Sequence, residues 1–147
     1  MNIEWAEQLS VGNAFIDAEH QKLICLVNEL IRAIEIRNSS GVAHAFKRLE
    51  HELCLHFANE ERMALTVGFD FSYHQLAQQY ALNELRFLKN LLSSKNCLWF
   101  DGALEHFRRF LRNWIIDDHI LRLDMRMKAV LLTRCYDFRI DLAYAYS

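Results

Sequence analysis

No proline interrupts this chain of 147 residues, and only four glycines punctuate it. Proline and glycine are the residues that stop helices and shape tight turns, so their scarcity leaves few places for the chain to reverse. Parallel-sheet and all-β folds need more turn residues than this, whereas long helices do not. Gly12, Gly41, Gly68 and Gly102 fall at spacings of roughly one long helix plus a turn, the repeat of a helical bundle. The length suits one domain with a real core, and an apolar share of 52% excludes a disordered chain.

Between the glycines the apolar pattern is helical. His20, Leu23, Ile24, Val27, Leu30, Ile31 and Ile34 follow the spacing of one helix face. A second face carries Val42, Phe46, Leu49, Leu53, His56, Glu60 and Met63, and a third carries His74, Ala77, Gln78, Ala81, Leu85, Leu88 and Leu92. The fourth carries Leu104, Leu111, Ile115, His119, Leu123 and Met127. Asp17, Ser72 and Asp101 are the expected N-caps of helices one, three and four; Asn38 to Gly41 is expected to end the first helix, and Ser93 to Asn96 to form a loop. Four amphipathic helices with short connections predict an all-α protein, an antiparallel up-down-up-down four-helix bundle. The expected organisation is one domain over 1–147. Residues 1–16 form an N-terminal arm holding Trp5 and Phe15, 17–127 the bundle, and 128–147 a C-terminal helical extension.

Several classes of function are excluded. Seventeen basic against nineteen acidic residues give a formal charge of −2, which argues against a nucleic-acid binder driven by phosphate contacts. No apolar run reaches the roughly 18 residues of a membrane span. No export signal is visible, and Cys25, Cys54, Cys97 and Cys135 lie far apart without a CxxC pair, so they read as thiols and the cytoplasm is the expected location.

The seven histidines are the unexplained item of the composition. Each apolar stripe carries one: His20, His56, His74 and His119. Glu60 stands four residues after His56 and Gln78 four after His74, and residues so spaced lie about 40° apart on a helix, pointing the same way. A single histidine on an apolar face is more often a core residue bonded to a neighbour than a metal ligand. Four of them with a buried carboxylate need many partners at once, and a metal centre satisfies all of them together. Imidazole and carboxylate without thiolate suit iron, zinc or manganese. Asp124 is the awkward member: five residues after His119, it points about 140° away on a regular helix. It reaches the same point only from the opposite edge of the stripe or through a local π-bulge, and Asp117 and Asp118 stand nearer in sequence. His44, His51 and His106 fall off the stripes and read as surface or rim residues.

These residues resemble those of the hemerythrins, particularly the bacterial single-domain form, over about residues 5 to 127. The matching pieces are Trp5 with Leu9-Ser10-Val11-Gly12 and Ile16-Asp17-x-x-His20-Gln21-x-Leu23, then His56-Phe57-x-x-Glu60-Glu61 with Met63. Gly68-Phe69 with His74 and Trp114 with His119-Ile120-x-x-x-Asp124 complete them. The resemblance implies a non-haem di-iron centre that binds O2 or a similar small diatomic ligand. It implies His20 and His56 on one iron, His74 and His119 on the other, and Glu60 and Asp124 bridging. Ile24, Leu53, Trp114 and Ile115 would supply an apolar lining. The third helix departs from the family's His-x-x-x-His pattern, reading His74-Gln75-Leu76-Ala77-Gln78. The approach to His74 is one residue shorter than usual, and Trp114 stands one residue further from His119. Gln78 is expected to offer its amide oxygen as a weak ligand or to hold a water, leaving that iron more loosely bound.

The expected function is an O2 carrier, store or sensor rather than an enzyme. The alternatives are a di-iron redox enzyme acting on peroxide or nitric oxide, and a bundle without metal serving as an interaction module through Tyr136, Phe138, Tyr144 and Tyr146.

Overall fold

The structure, a computed structural model, describes residues 2–93, 101–134 and 136. A short 3₁₀ turn, Glu7–Leu9, precedes α1 (Ala14–Glu35), α2 (Ser39–Val67) and α3 (Ser72–Ser93). After residues that lie outside the described part, α4 (Asp101–Arg112) runs without a break into a π-helical segment, Asn113–Asp124, and then into α5 (Met125–Thr133). The described residues contain helices and no strand. The architecture is a four-helix bundle: α1 packs along α2, α2 along α3, and the rod of α4 and the π segment closes against α1.

The helix boundaries follow local hydrogen-bond chemistry, and three differ from the sequence reading. Asn13, not Asp17, caps α1: its Oδ1 accepts the Ile16 N–H at 3.1 Å, while its amide donates to the Tyr136 carbonyl. Asp17 lies one turn inside and accepts from the Ser10 hydroxyl and the Val11 N–H, which ties down the N-terminal arm. Asn38 opens α2 instead of closing α1, its Oδ1 accepting from the Gly41 N–H. The left-handed residue that ends a helix is here Arg37, at φ 54°, so the α1–α2 link is shorter than a glycine at position 41 suggested. Ser72 is the first residue of α3, and the accepting side chain is that of Asp70, which takes both the N–H and the hydroxyl of Ser72.

The stripes on the first two helices are buried throughout, and the third has Ala77 and Ala81 half-buried. The apolar core falls into two clusters. The larger holds Leu23, Leu30, Leu49, Leu53, Leu111 and Ile115, and the smaller holds Val11, Ile16, Met63, Val67, Met127 and Leu131. The arm's Ile3, Leu9 and Val11 are buried, whereas Phe15 stays exposed. Of the aromatic tail only Tyr136 is described, and it packs on the smaller cluster; Phe138, Tyr144 and Tyr146 lie outside the described residues.

Gly68 ends α2 in the left-handed conformation at φ 76°, and a Cβ there would stand 2.6 Å from the Arg134 guanidinium, which donates to the Val67 carbonyl. Gly68→Ala is expected to cost about 1–2 kcal/mol, from left-handed strain on a residue with a Cβ. The urea midpoint measures it, and an unchanged midpoint would show that the turn relaxes freely.

Candidate metal centre

On each helix the polar residues stand where one apolar cluster gives way to the other. α1 contributes His20, α2 His56 and Glu60, α3 His74 and Gln78, and the π segment His119 and Asp124. All seven are buried; Gln78, the most open, keeps 6% exposure. His44 and His51 are exposed, as their positions off the stripes implied.

The π segment answers the question that Asp124 posed. Its backbone bonds run from i to i+5, so residues five apart share a face. Trp114, His119 and Asp124 are spaced by five, and the Trp114 and His119 rings lie 6.2 Å apart. Asp124 is fully buried beside the histidines, while Asp117 is exposed. The extra residue between Trp114 and His119 is absorbed by the wider turn.

Each buried carboxylate turns its two oxygens to opposite sides. Glu60 Oε1 lies 2.6 Å from His56 Nε2, 3.4 Å from His20 Nε2 and 3.5 Å from His119 Nε2. Asp124 Oδ2 lies 2.7 Å from His20 Nε2 and 3.0 Å from His119 Nε2. On the other side, Glu60 Oε2 accepts the Gln78 amide N–H at 2.7 Å, and Asp124 Oδ1 is 3.9 Å from His74 Nε2. The ring nitrogen of His119 therefore sits with those of His20 and His56, where the resemblance paired it with His74. Gln78 departs from expectation too: it is a donor to Glu60, because a buried carboxylate oxygen requires one and the amide is within reach.

The arrangement fits a metal. Ligand atoms of His20, His56, Glu60, His119 and Asp124 all lie within 4.8 Å of one another. Both Asp124 oxygens are buried without a hydrogen bond although imidazole nitrogens stand at 2.7 and 3.0 Å. At Asp124 the distances are short but the directions are not those of hydrogen bonds. His56 Nε2 and His119 Nε2 meet tip to tip at 2.9 Å. Neutral imidazole and carboxylate, with no thiolate in the cluster, are the donors of first-row metals.

Glu19 was not legible as part of this site. Its Oε1 lies 3.0 Å from His56 Nδ1 and its Oε2 accepts from the Asn59 amide. A carboxylate there takes the proton on Nδ1 and leaves the Nε2 lone pair facing the cluster, the second-sphere arrangement of metal-ligating histidines. Nothing in the spacing of Glu19, next to His20 on α1, signals a contact with α2. Phe69 and Phe71, in the turn before α3, flank the His74 ring at 5.3 and 5.2 Å, and Phe57 lies 5.4 Å from that of His119. Ile24, Leu53, Trp114 and Ile115 are all buried in the larger apolar cluster.

Without metal the two carboxylates differ. Burial, and then the charge of Asp124, push Glu60 up to about 8. Burial pushes Asp124 up as well, but the attraction of His119 and His20 outweighs it and holds this carboxyl well below its usual range.

The helix bundle encloses a buried histidine-carboxylate cluster of the kind that holds metal. The chain is similar to hemerythrin-like proteins: it is 29% identical to the hemerythrin-like protein of Naegleria gruberi over 86% of this chain and 92% of that one. It is 27% identical to the bacteriohemerythrin of Pseudomonas aeruginosa over 48% of this chain and 46% of that one. A crystal structure of a hemerythrin mutant superposes with a TM-score of 0.74 at 20% identity, covering 88% of this chain and 96% of that one, which shows a common fold. No family model matches the chain.

Glu60 carries a pH prediction for the metal-free protein. Its folded value, about 8, lies above its ordinary 4.5, so its contribution to stability is fully present below pH 4.5 and is lost as pH rises through about 8. The thermal midpoint of wild type should therefore fall relative to that of Glu60→Gln between these limits. Parallel profiles for the two proteins would show that Glu60 has an ordinary pKa.

Proposed function

We propose that this chain is an O2-binding protein with a non-haem di-iron centre, a carrier, store or sensor. The observation that carries the reading is the convergence of three imidazole nitrogens and two buried carboxylates at one place among the described residues. Glu60, Asp124, His20, His56 and His119 would hold the metal, with His74 on the far side of the carboxylates beside Gln78. Iron held there would supply the electrons for reversible O2 binding. The chain's own residues do the rest. Glu19 orients His56, and Phe57, Phe69 and Phe71 keep water from the imidazoles. Ile24, Leu53, Trp114 and Ile115 form one apolar side of the cluster, and such a lining slows irreversible oxidation.

The Gln78 side has one imidazole, and its amide occupies an oxygen of Glu60. An iron on that side would be the more loosely held. No helix among the described residues is long and apolar enough to cross a membrane. Cys25 and Cys54 are free and exposed, which favours a reducing cytoplasm as the working location. An enzymatic role toward peroxide or nitric oxide is the second reading, favoured by a cleft that reaches Gln78 and His119.

Iron content after anaerobic ferrous loading, with absorption spectra before and after dithionite and air, tests the first reading. About two irons per chain and oxo-bridged charge-transfer bands that bleach and return are expected. Less than one iron per chain would overturn it and favour an interaction module, whereas turnover of peroxide or nitric oxide would favour the enzyme. Gln78→His should slow loss of the second iron to a chelator; unchanged retention and spectrum would remove Gln78 from the account. Glu19→Ala should weaken iron binding by roughly 10–100-fold, the usual effect of losing an outer-sphere partner. Retention equal to wild type would show that Glu19 does not orient His56.

A further inference from the structure

A cleft of about 600 Å³ opens between α3 and the rod of α4 and the π segment. A diatomic ligand needs a small fraction of that space, whereas organic ligands occupy sites of roughly 300–1,000 Å³. The space exists because Ala77 and Ala81, one turn apart on α3, present only methyl groups to it. Its walls are aromatic: Tyr80 on one side, Phe110 and Trp114 on the other. Tyr73, Leu76 and Tyr80 on its α3 side are 55%, 73% and 68% exposed; the Arg126 guanidinium lies over the Tyr73 ring at 5.2 Å, and Leu76 and Tyr80 give the rim of the cleft a large apolar surface.

The cleft reaches the polar layer at Gln78 and His119. Gln78 gives its N–H to Glu60, so its carbonyl oxygen is the group left to accept from an occupant. His119 turns Nε2 toward the carboxylates and lines the cleft with the rest of its ring. Glu84, also on the lining, disfavours an anion.

We propose that this cleft binds a small, uncharged aromatic molecule bearing one O–H or N–H. Its ring packs against Trp114, Phe110 and Tyr80, and its polar hydrogen goes to Gln78 Oε1. The site goes beyond O2 binding and does not depend on it.

The probes are 4-methylphenol and toluene, which share a shape and differ in the hydroxyl. They are titrated calorimetrically into the full chain, metal-free and iron-loaded. Saturable binding of 4-methylphenol with one site per chain is expected, with toluene weaker by about tenfold for want of the hydrogen bond. Ala81→Phe fills the cleft and should weaken 4-methylphenol by at least about tenfold with the iron spectrum unchanged. Tyr80→Ala changes an exposed position without threatening the fold, and should weaken binding several-fold. Absence of saturation below about 10 mM, or affinity unaffected by Tyr80→Ala and by Ala81→Phe where that variant folds, would overturn the site. Equal binding of toluene would overturn the contact with Gln78. Failure of the O2 reading would appear in the iron spectrum and leave these titrations as they are.

Discussion

Two carboxylates buried in an apolar bundle set the terms for the rest of this structure. Moving an ionised carboxylate out of water costs several kcal/mol even after relaxation, and only well-placed partners offset it. Glu60 and Asp124 have no exposed surface, and four imidazoles and one amide surround them. These partners come from α1, α2, α3 and the π segment, so the polar layer forms only when the helices stand in one register. The layer also divides the core in two, and every helix must change from apolar to polar and back at the same height.

The backbone departs from regular geometry where the layer requires it. On a regular helix His119 and Asp124 point about 140° apart, and the π segment brings them to one face by wrapping five residues into a turn. The short connection from α2 to α3, opened by Gly68, brings Phe69 and Phe71 against His74. On the other side of the bundle, Glu19 holds His56 through the nitrogen that faces away from the cluster. Coordination, water exclusion and ring orientation thus fall to different elements. The third helix is the point of asymmetry: where the family pattern has a second histidine, Gln78 satisfies Glu60 and leaves Ala77 and Ala81 bordering an open cleft.

Much of this could be read from the chain. Apolar residues at helical spacing marked the buried faces, because a helix packed on one side must repeat its apolar residues with the helical turn. His56 with Glu60, and His74 with Gln78, were legible for the same reason. The ends of the helices were less so. Asn38 could have closed α1 or opened α2, and only Arg37 in the left-handed region made it an opening. Asp17 had the chemistry of a cap but was used to hold the arm. The partner of Gln78 was not legible, since an amide is both donor and acceptor and its role depends on what faces it.

The sequence by itself determined an all-α bundle whose four apolar faces each carry a histidine, because helical periodicity and the absence of breakers are local properties of the chain. Tertiary structure alone decided that His119 stands with His20 and His56, and that Glu19 reaches His56. Each of these depends on the phase of one helix against another. That phase is set by backbone hydrogen bonding and by packing across the bundle, and no spacing within a single helix records it.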